Sequence, residues 1–186
     1  MKKVTLLGDS IRLGYESRVT ELLKPDFEVF TYKDNGRFAA YTLRSLFDYR
    51  EQIAGSDVIH WNNGHWDLCD LFGDGSFTSI GQYTDCLRRI AGLLLEVTPN
   101  VIFALTTPVR GENTHNSNAV IREYNRAAAE TLAPLGIMIN DLNTPLAGDI
   151  HRYVSDDLIH LTPEGYDVCA RLVAEKIRAA GRWFPF

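Results

Sequence analysis

A serine, a base, an acid and an amide stand in three short segments of this chain that lie far apart. The segments are Gly8-Asp9-Ser10, Asn62-Asn63-Gly64 and Asp157-Leu158-Ile159-His160. A serine hydroxyl near neutral pH is a weak nucleophile and needs a base to take its proton. The base needs an acid to fix its tautomer, and an anion forming on an attacked carbonyl needs fixed hydrogen-bond donors. Ser10, His160, Asp157 and an asparagine of the second segment fill those four roles. The pattern therefore points to covalent acyl chemistry on a serine.

The Asp-x-x-His spacing occurs twice, so spacing alone decides nothing. The first copy, Asp57-Val58-Ile59-His60, runs into an apolar stretch that reads as a strand. Residues three apart on a strand point to opposite faces, so Asp57 and His60 cannot pair there, and His60 reads as a core histidine. The second copy lies in a loop, where a turn can fold the carboxylate onto the imidazole. Asp156 is the less apt orienter beside it. Gly-Asp-Ser is also weak by itself, since all three residue types favour turns. Its place at the end of the first apolar run raises its value, because a following helix would aim N–H groups and a positive dipole end at the reacting oxygen.

Those segments need a scaffold that brings them together. Apolar runs at Val4–Leu7, Glu28–Tyr32, Val58–Trp61, Val101–Thr106 and Ile137–Asp141 read as five buried strands. Between them Ile80, Tyr83, Leu87, Ile90, Leu94 and Val97 step at helical period, as do Val120, Tyr124, Ala128, Thr131 and Leu135. Helices are also expected over 16–23 and 41–53. The last helix is capped by Thr162, starts at Pro163 and carries Tyr166, Cys169, Val173 and Ile177 on one face. Strands alternating with helices predict an α/β fold, a three-layer sandwich around a parallel sheet of order 2-1-3-4-5. Such sheets bind ligands outside the carboxyl ends of their strands. Ser10, Ala39 and Ala40 in the connection after the second strand, Asn62 and Asn63, Arg110, and Asp157 with His160 all fall at that rim. The irregular stretch 67–79 follows the third strand and is long enough to expect a functional loop.

Composition sets the frame. With 186 residues, 45% of them hydrophobic and 23% charged, the chain reads as one domain, residues 1–186, with a substantial core. A net charge of -5 gives no basic footprint for nucleic acid. Cys69, Cys86 and Cys169 form neither a disulfide framework nor a metal knuckle and suit a reducing compartment. The run behind Met1-Lys2-Lys3 stops at Gly8-Asp9, too short for a secretory h-region, and no run is long enough to span a membrane. A cytoplasmic protein without a cofactor is expected. The apolar tail Trp183-Phe184-Pro185-Phe186 either packs back on the domain or makes a homo-oligomer contact.

With Gly8-Asp9-Ser10 followed by Ile11, Gly14 four residues after the serine, and Asp157-Leu158-Ile159-His160 near the end, the chain resembles the SGNH, or GDSL-type, hydrolases. The resemblance spans residues 8 to 160. It implies a flavodoxin-like fold and metal-free acyl hydrolysis, with Ser10 as nucleophile, His160 as base and Asp157 as its orienter. The middle blocks depart from the family pattern. A backbone N–H from the second block would come from Ala40, with Gly36 as the fallback. The third block is commonly Gly-x-Asn-Asp, whereas here Trp66 takes the asparagine position of Gly64-His65-Trp66-Asp67. The oxyanion amide would then come from Asn62 or Asn63.

Around this set, His65 and Trp66 are candidates to line a substrate pocket, and Arg12, Arg37 and Arg110 to grip a polar or anionic group. Asp9 reads as a loop-holding residue and His115 as a solvated one. The expected activity is hydrolysis of a short-acyl, acetyl-like ester of a sugar or other polar alcohol in a shallow groove. A noncatalytic carbohydrate-binding or signalling module is the alternative class. A receiver-like phosphoacceptor would want a carboxylate after the third strand and a lysine after the fifth; the chain has Asn62-Asn63 and, over 142–160, no lysine. Acyl transfer would use the same triad.

Overall fold

The structure, a computed structural model, describes residues 1–181. In chain order the elements are β1 (Lys2–Leu7), α1 (Ser10–Leu23), β2 (Phe27–Thr31), α2 (Ala39–Asp48), α3 (Arg50–Ile53), β3 (Val58–Asn62) and α4 (His65–Leu68). There follow α5 (Ile80–Leu95), β4 (Val101–Ala104), α6 (Asn118–Leu132), β5 (Met138–Asn140), α7 (Thr144–Ala147), α8 (Ile150–Tyr153) and α9 (Pro163–Gly181). The strands form one sheet in the order β2-β1-β3-β4-β5, each neighbouring pair parallel, as the alternation of elements predicts. A strand covered on both faces needs apolar residues at every position. On β4, Val101 and Phe103 pack with α2, α5 and α6, while Ile102 and Ala104 pack with α1 and α9.

The differences from expectation have local causes. α1 begins at Ser10, not near Glu16. Its core-facing residues Ile11, Tyr15, Val19 and Leu23 step by fours, but the buried Arg12 beside Ile11 obscures the pattern. The helix expected over 41–53 is two helices, broken at Tyr49 with φ -102° and ψ 12°. β4 is shorter than 101–106 because Thr106 leaves the ladder, pairing its N–H and C=O with the side chain of Asn125 at 2.8 and 2.9 Å. The short helices α4, α7 and α8 carry too little periodicity to be seen in the sequence.

One close contact brings the two halves of the sheet rim together. A Cβ on Gly14 would lie 2.1 Å from the Tyr166 ring, so the bare glycine lets α1 and α9 approach closely. The helix that begins at Ser10 is thereby packed on the helix that follows His160. Among the described residues no helix is long and apolar enough to cross a membrane, and Cys69, Cys86 and Cys169 are free thiols. The expected role of the tail 183–186 lies outside the described residues.

Candidate active site

Ser10 is the first residue of α1, and Asp9 caps that helix by accepting the Ile11 N–H at 3.0 Å. The Ser10 N–H, at the positive end of a 14-residue helix, has no partner among the described residues. Gly8 holds φ +148°, and a Cβ there would fall 1.9 Å from Asn62 Oδ1, so both its conformation and its surroundings demand glycine. Behind this turn Arg12 is fully buried. It donates to Tyr32 O at 3.0 Å, Asp34 O at 2.6 Å and Gly8 O at 3.3 Å, pairs with Glu16 and stacks over the Tyr32 ring. A buried guanidinium is tolerable only with such partners. Arg12 is therefore not a rim residue that grips substrate; it ties the loop after β2 to the nucleophile turn.

The acid and base stand on the turn before α9. Ser10 Oγ lies 2.9 Å from His160 Nε2, and His160 Nδ1 lies 2.7 Å from Asp157 Oδ2. Leu158 adopts φ +75°, which folds the turn so that Asp157 Oδ1 accepts the Ile159 and His160 N–H groups at 3.1 and 2.8 Å. Ser155 Oγ adds a third bond to that oxygen at 2.8 Å. Partial burial opposes ionisation of Asp157, but the bonds from Ile159, Ser155 and His160 outweigh it and hold the carboxyl well below the usual range. An ionised acceptor draws the Nδ1 proton and leaves the Nε2 lone pair toward Ser10. Asp156 is not the orienter, since its carboxylate pairs with Arg110 at 3.0 Å.

Arg110 is engaged in building this turn. Its Nε donates to Val154 O at 2.9 Å and its backbone N–H to Leu158 O at 3.1 Å, so it braces the acid–base loop in place of gripping substrate. Arg37 is exposed and stacks over the Tyr41 ring, 4.8 Å from its centroid.

A groove of about 520 Å³ opens over Ser10, His160 and Asp157. Trp66, Cys69, Leu71 and Ile159 give it apolar walls; Asn35, Asn113, Asn116, His65 and His115 add polar atoms. His65 and Trp66 are both among the residues that line the groove. His65 is buried, and desolvation, helped by the nearby His160, pushes its pKa down to about 3. It is a neutral ring, with Nδ1 facing the Asn116 amide at 3.4 Å and Nε2 facing Thr107 Oγ1 at 3.0 Å. Trp66 is 42% exposed at the groove edge. His115 is exposed in its loop, as the sequence reads it, and also borders the groove, its Nδ1 3.0 Å from Asp70 O.

The three residues expected at the oxyanion are not in the groove wall. Ala40 is an exposed residue in the first turn of α2. Asn63 is fully buried and donates through Nδ2 to Arg37 O and Thr42 Oγ1, both at 2.9 Å. Asn62 is buried under the nucleophile turn and donates to Asp9 Oδ1 at 2.7 Å. The fallback, Gly36, donates its N–H to Gly8 O at 2.8 Å. Asp9 is buried, which raises its carboxyl above the usual value against the opposing pull of Asn62, the Ile11 N–H and Arg12. It holds the loop, as read from the sequence. Among the described residues no cluster of three or more His, Cys, Asp or Glu side chains is arranged to hold a metal.

No protein-family model matches the chain, and no curated protein matches it. Solved structures do. A lipase/acylhydrolase from Enterococcus faecalis superimposes with a TM-score of 0.79 at 20% identity, over 100% of this chain and 99% of that one. The acetylxylan esterase Axe2 from Geobacillus stearothermophilus gives 0.74 at 17% identity, over 95% and 94%. A GDSL-like lipase from Bacteroides thetaiotaomicron gives 0.74 at 17%, over 96% and 89%. The chain has the SGNH-hydrolase fold. Within that fold, Ser10 follows β1, and Asp157 and His160 precede the last helix. What sequence reasoning missed in this SGNH scaffold are Asn35, Asn113 and Asn116. Asn35 lies at the same strand rim as Ser10, and that position was the available signal.

Proposed function

We propose that this chain is a serine esterase that hydrolyses a carboxylic ester through an acyl-Ser10 intermediate. The observation that carries the reading is the continuous chain Ser10 Oγ to His160 Nε2 to Asp157, with links of 2.9 and 2.7 Å, at the floor of an open groove. Ser10 Oγ bonds to the ester carbon as its proton passes to His160 Nε2, and the C=O electron pair moves onto oxygen. The Ser10 N–H at the head of α1 stabilises that charge. Collapse breaks the C–O bond, and the alcohol leaves with the proton from His160. A water activated by the same imidazole then releases the acid and restores Ser10.

The side chain of His160 is 42% exposed, which gives water ready access and favours hydrolysis over acyl transfer. The shallow groove with Trp66 at its edge suits a short acyl group on a sugar or another polar alcohol, and the acetylxylan esterases among the structural neighbours support the same class. The test is hydrolysis of 4-nitrophenyl acetate by the protein and by Ser10→Ala. The expected loss is ~10³-fold or more, with acetylated sugars preferred over long-chain esters. Equal rates for the two proteins would refute the reading.

A further inference from the structure

The groove contains a carboxamide donor for which the sequence pattern gives no role. Three asparagines line it, Asn35, Asn113 and Asn116. The amide of Asn113 donates to Leu158 O at 3.4 Å, and that of Asn116 to His65 O at 3.1 Å. Asn35 Nδ2 has no partner among the described residues. Its orientation is defined, because Asn35 Oδ1 accepts the Arg37 N–H at 2.8 Å and so occupies the acceptor side. The residue is also held from both directions. Asp34 O accepts from the buried Arg12, and the Gly36 N–H donates to Gly8 O at 2.8 Å, two residues from the nucleophile.

Asn62 and Asn63 are not in the groove wall, and their amides donate to Asp9 and to Arg37 O and Thr42. We propose that Asn35 supplies the side-chain donor to the acyl oxygen, beside the Ser10 N–H. This rests on the esterase reading. As Ser10 Oγ adds to the carbonyl carbon and its proton goes to His160, the oxygen gains the π electron pair and accepts from Asn35 Nδ2. When the C–O bond to the alcohol breaks, the carbonyl re-forms and the contact weakens. A donor held in place by loop anchors, and free before substrate arrives, is the kind that acts on the transition state more than on the ground state.

Two substitutions test this, Asn35→Asp and Asn35→Ser. The first keeps the acceptor for the Arg37 N–H and removes the donor; the second is neutral and retains a turn-forming oxygen. With 4-nitrophenyl acetate, kcat should fall ~10²-fold in both, with KM within about threefold and melting temperature unchanged. Inactivation by a serine-directed phosphonate should slow in parallel, since its phosphoryl oxygen occupies the same place. A kcat for Asn35→Ser within about threefold of the parent overturns the proposal, even if Asn35→Asp is slow, because added charge then explains the latter. A raised KM with unchanged kcat also overturns it. Either result leaves Ser10-dependent turnover in the parent intact, so the esterase reading survives. Absence of Ser10-dependent turnover in the parent would refute both.

Discussion

The two Asp-x-x-His copies have the same spacing and opposite fates. Asp57 sits at the entry to β3, where its carboxylate accepts the Lys3 N–H at 2.7 Å, while His60 is buried three residues on. The strand carries the two side chains apart, and His60 Nε2 instead meets the Asn140 amide at 3.2 Å. That bond makes Nε2 the acceptor, so the proton is on Nδ1, which is buried and has no partner among the described residues. The core histidine expected there is thus only half satisfied. At Asp157 the backbone turns back through Leu158 at φ +75°, and carboxylate and imidazole meet at 2.7 Å. The spacing is the same in both copies, and the backbone between the two residues decides whether they become a pair.

The largest expected effect follows from that contrast. His160→Ala should lower esterase turnover ~10³-fold or more, whereas His60→Gln should leave kcat within about threefold. Asp157→Asn should cost ~10²-fold or more, because the imidazole loses its tautomer lock, and Asp57→Asn should leave turnover unchanged. Steady-state kinetics on the four variants checks the ordering. Comparable losses at both copies would break the distinction.

A smaller effect sharpens the comparison through stability. Burial pushes the His60 pKa down to about 3, against about 6.5 in the unfolded chain. Between those values the unfolded state binds the extra proton, so this contribution to stability is present above pH ~6.5 and is lost progressively as pH falls toward 3. At pH 5 the loss from His60 alone is on the order of 2 kcal/mol, and His65, also lowered to about 3, acts in the same direction. Denaturant melts of the parent and His60→Gln at pH 5 and 7.5 should show a shallower pH dependence in the variant. An identical dependence would mean that His60 is not buried as described.

Much of this was legible in the sequence, for identifiable reasons. Strand order followed from apolar runs alternating with helical periods, and that topology carries the Ser10 and Asp157–His160 segments to one sheet rim. What stayed hidden depends on contacts between distant residues. Arg12 looked like a rim cation because its acceptors, Tyr32 O and Asp34 O, come from the loop after β2. Asn62 and Asn63 looked like oxyanion donors because nothing local reveals that Asp9, Arg37 O and Thr42 would take their amides. Arg110 looked like a substrate clamp, and its Val154 acceptor lies 44 residues along the chain.

The most direct test of the account is labelling by a serine-directed fluorophosphonate, followed by peptide mapping of the adduct. The account predicts a single modification on Ser10 that is abolished in His160→Ala and unaffected in His60→Gln. A label on another residue, or equal labelling of Ser10 without His160, would contradict it.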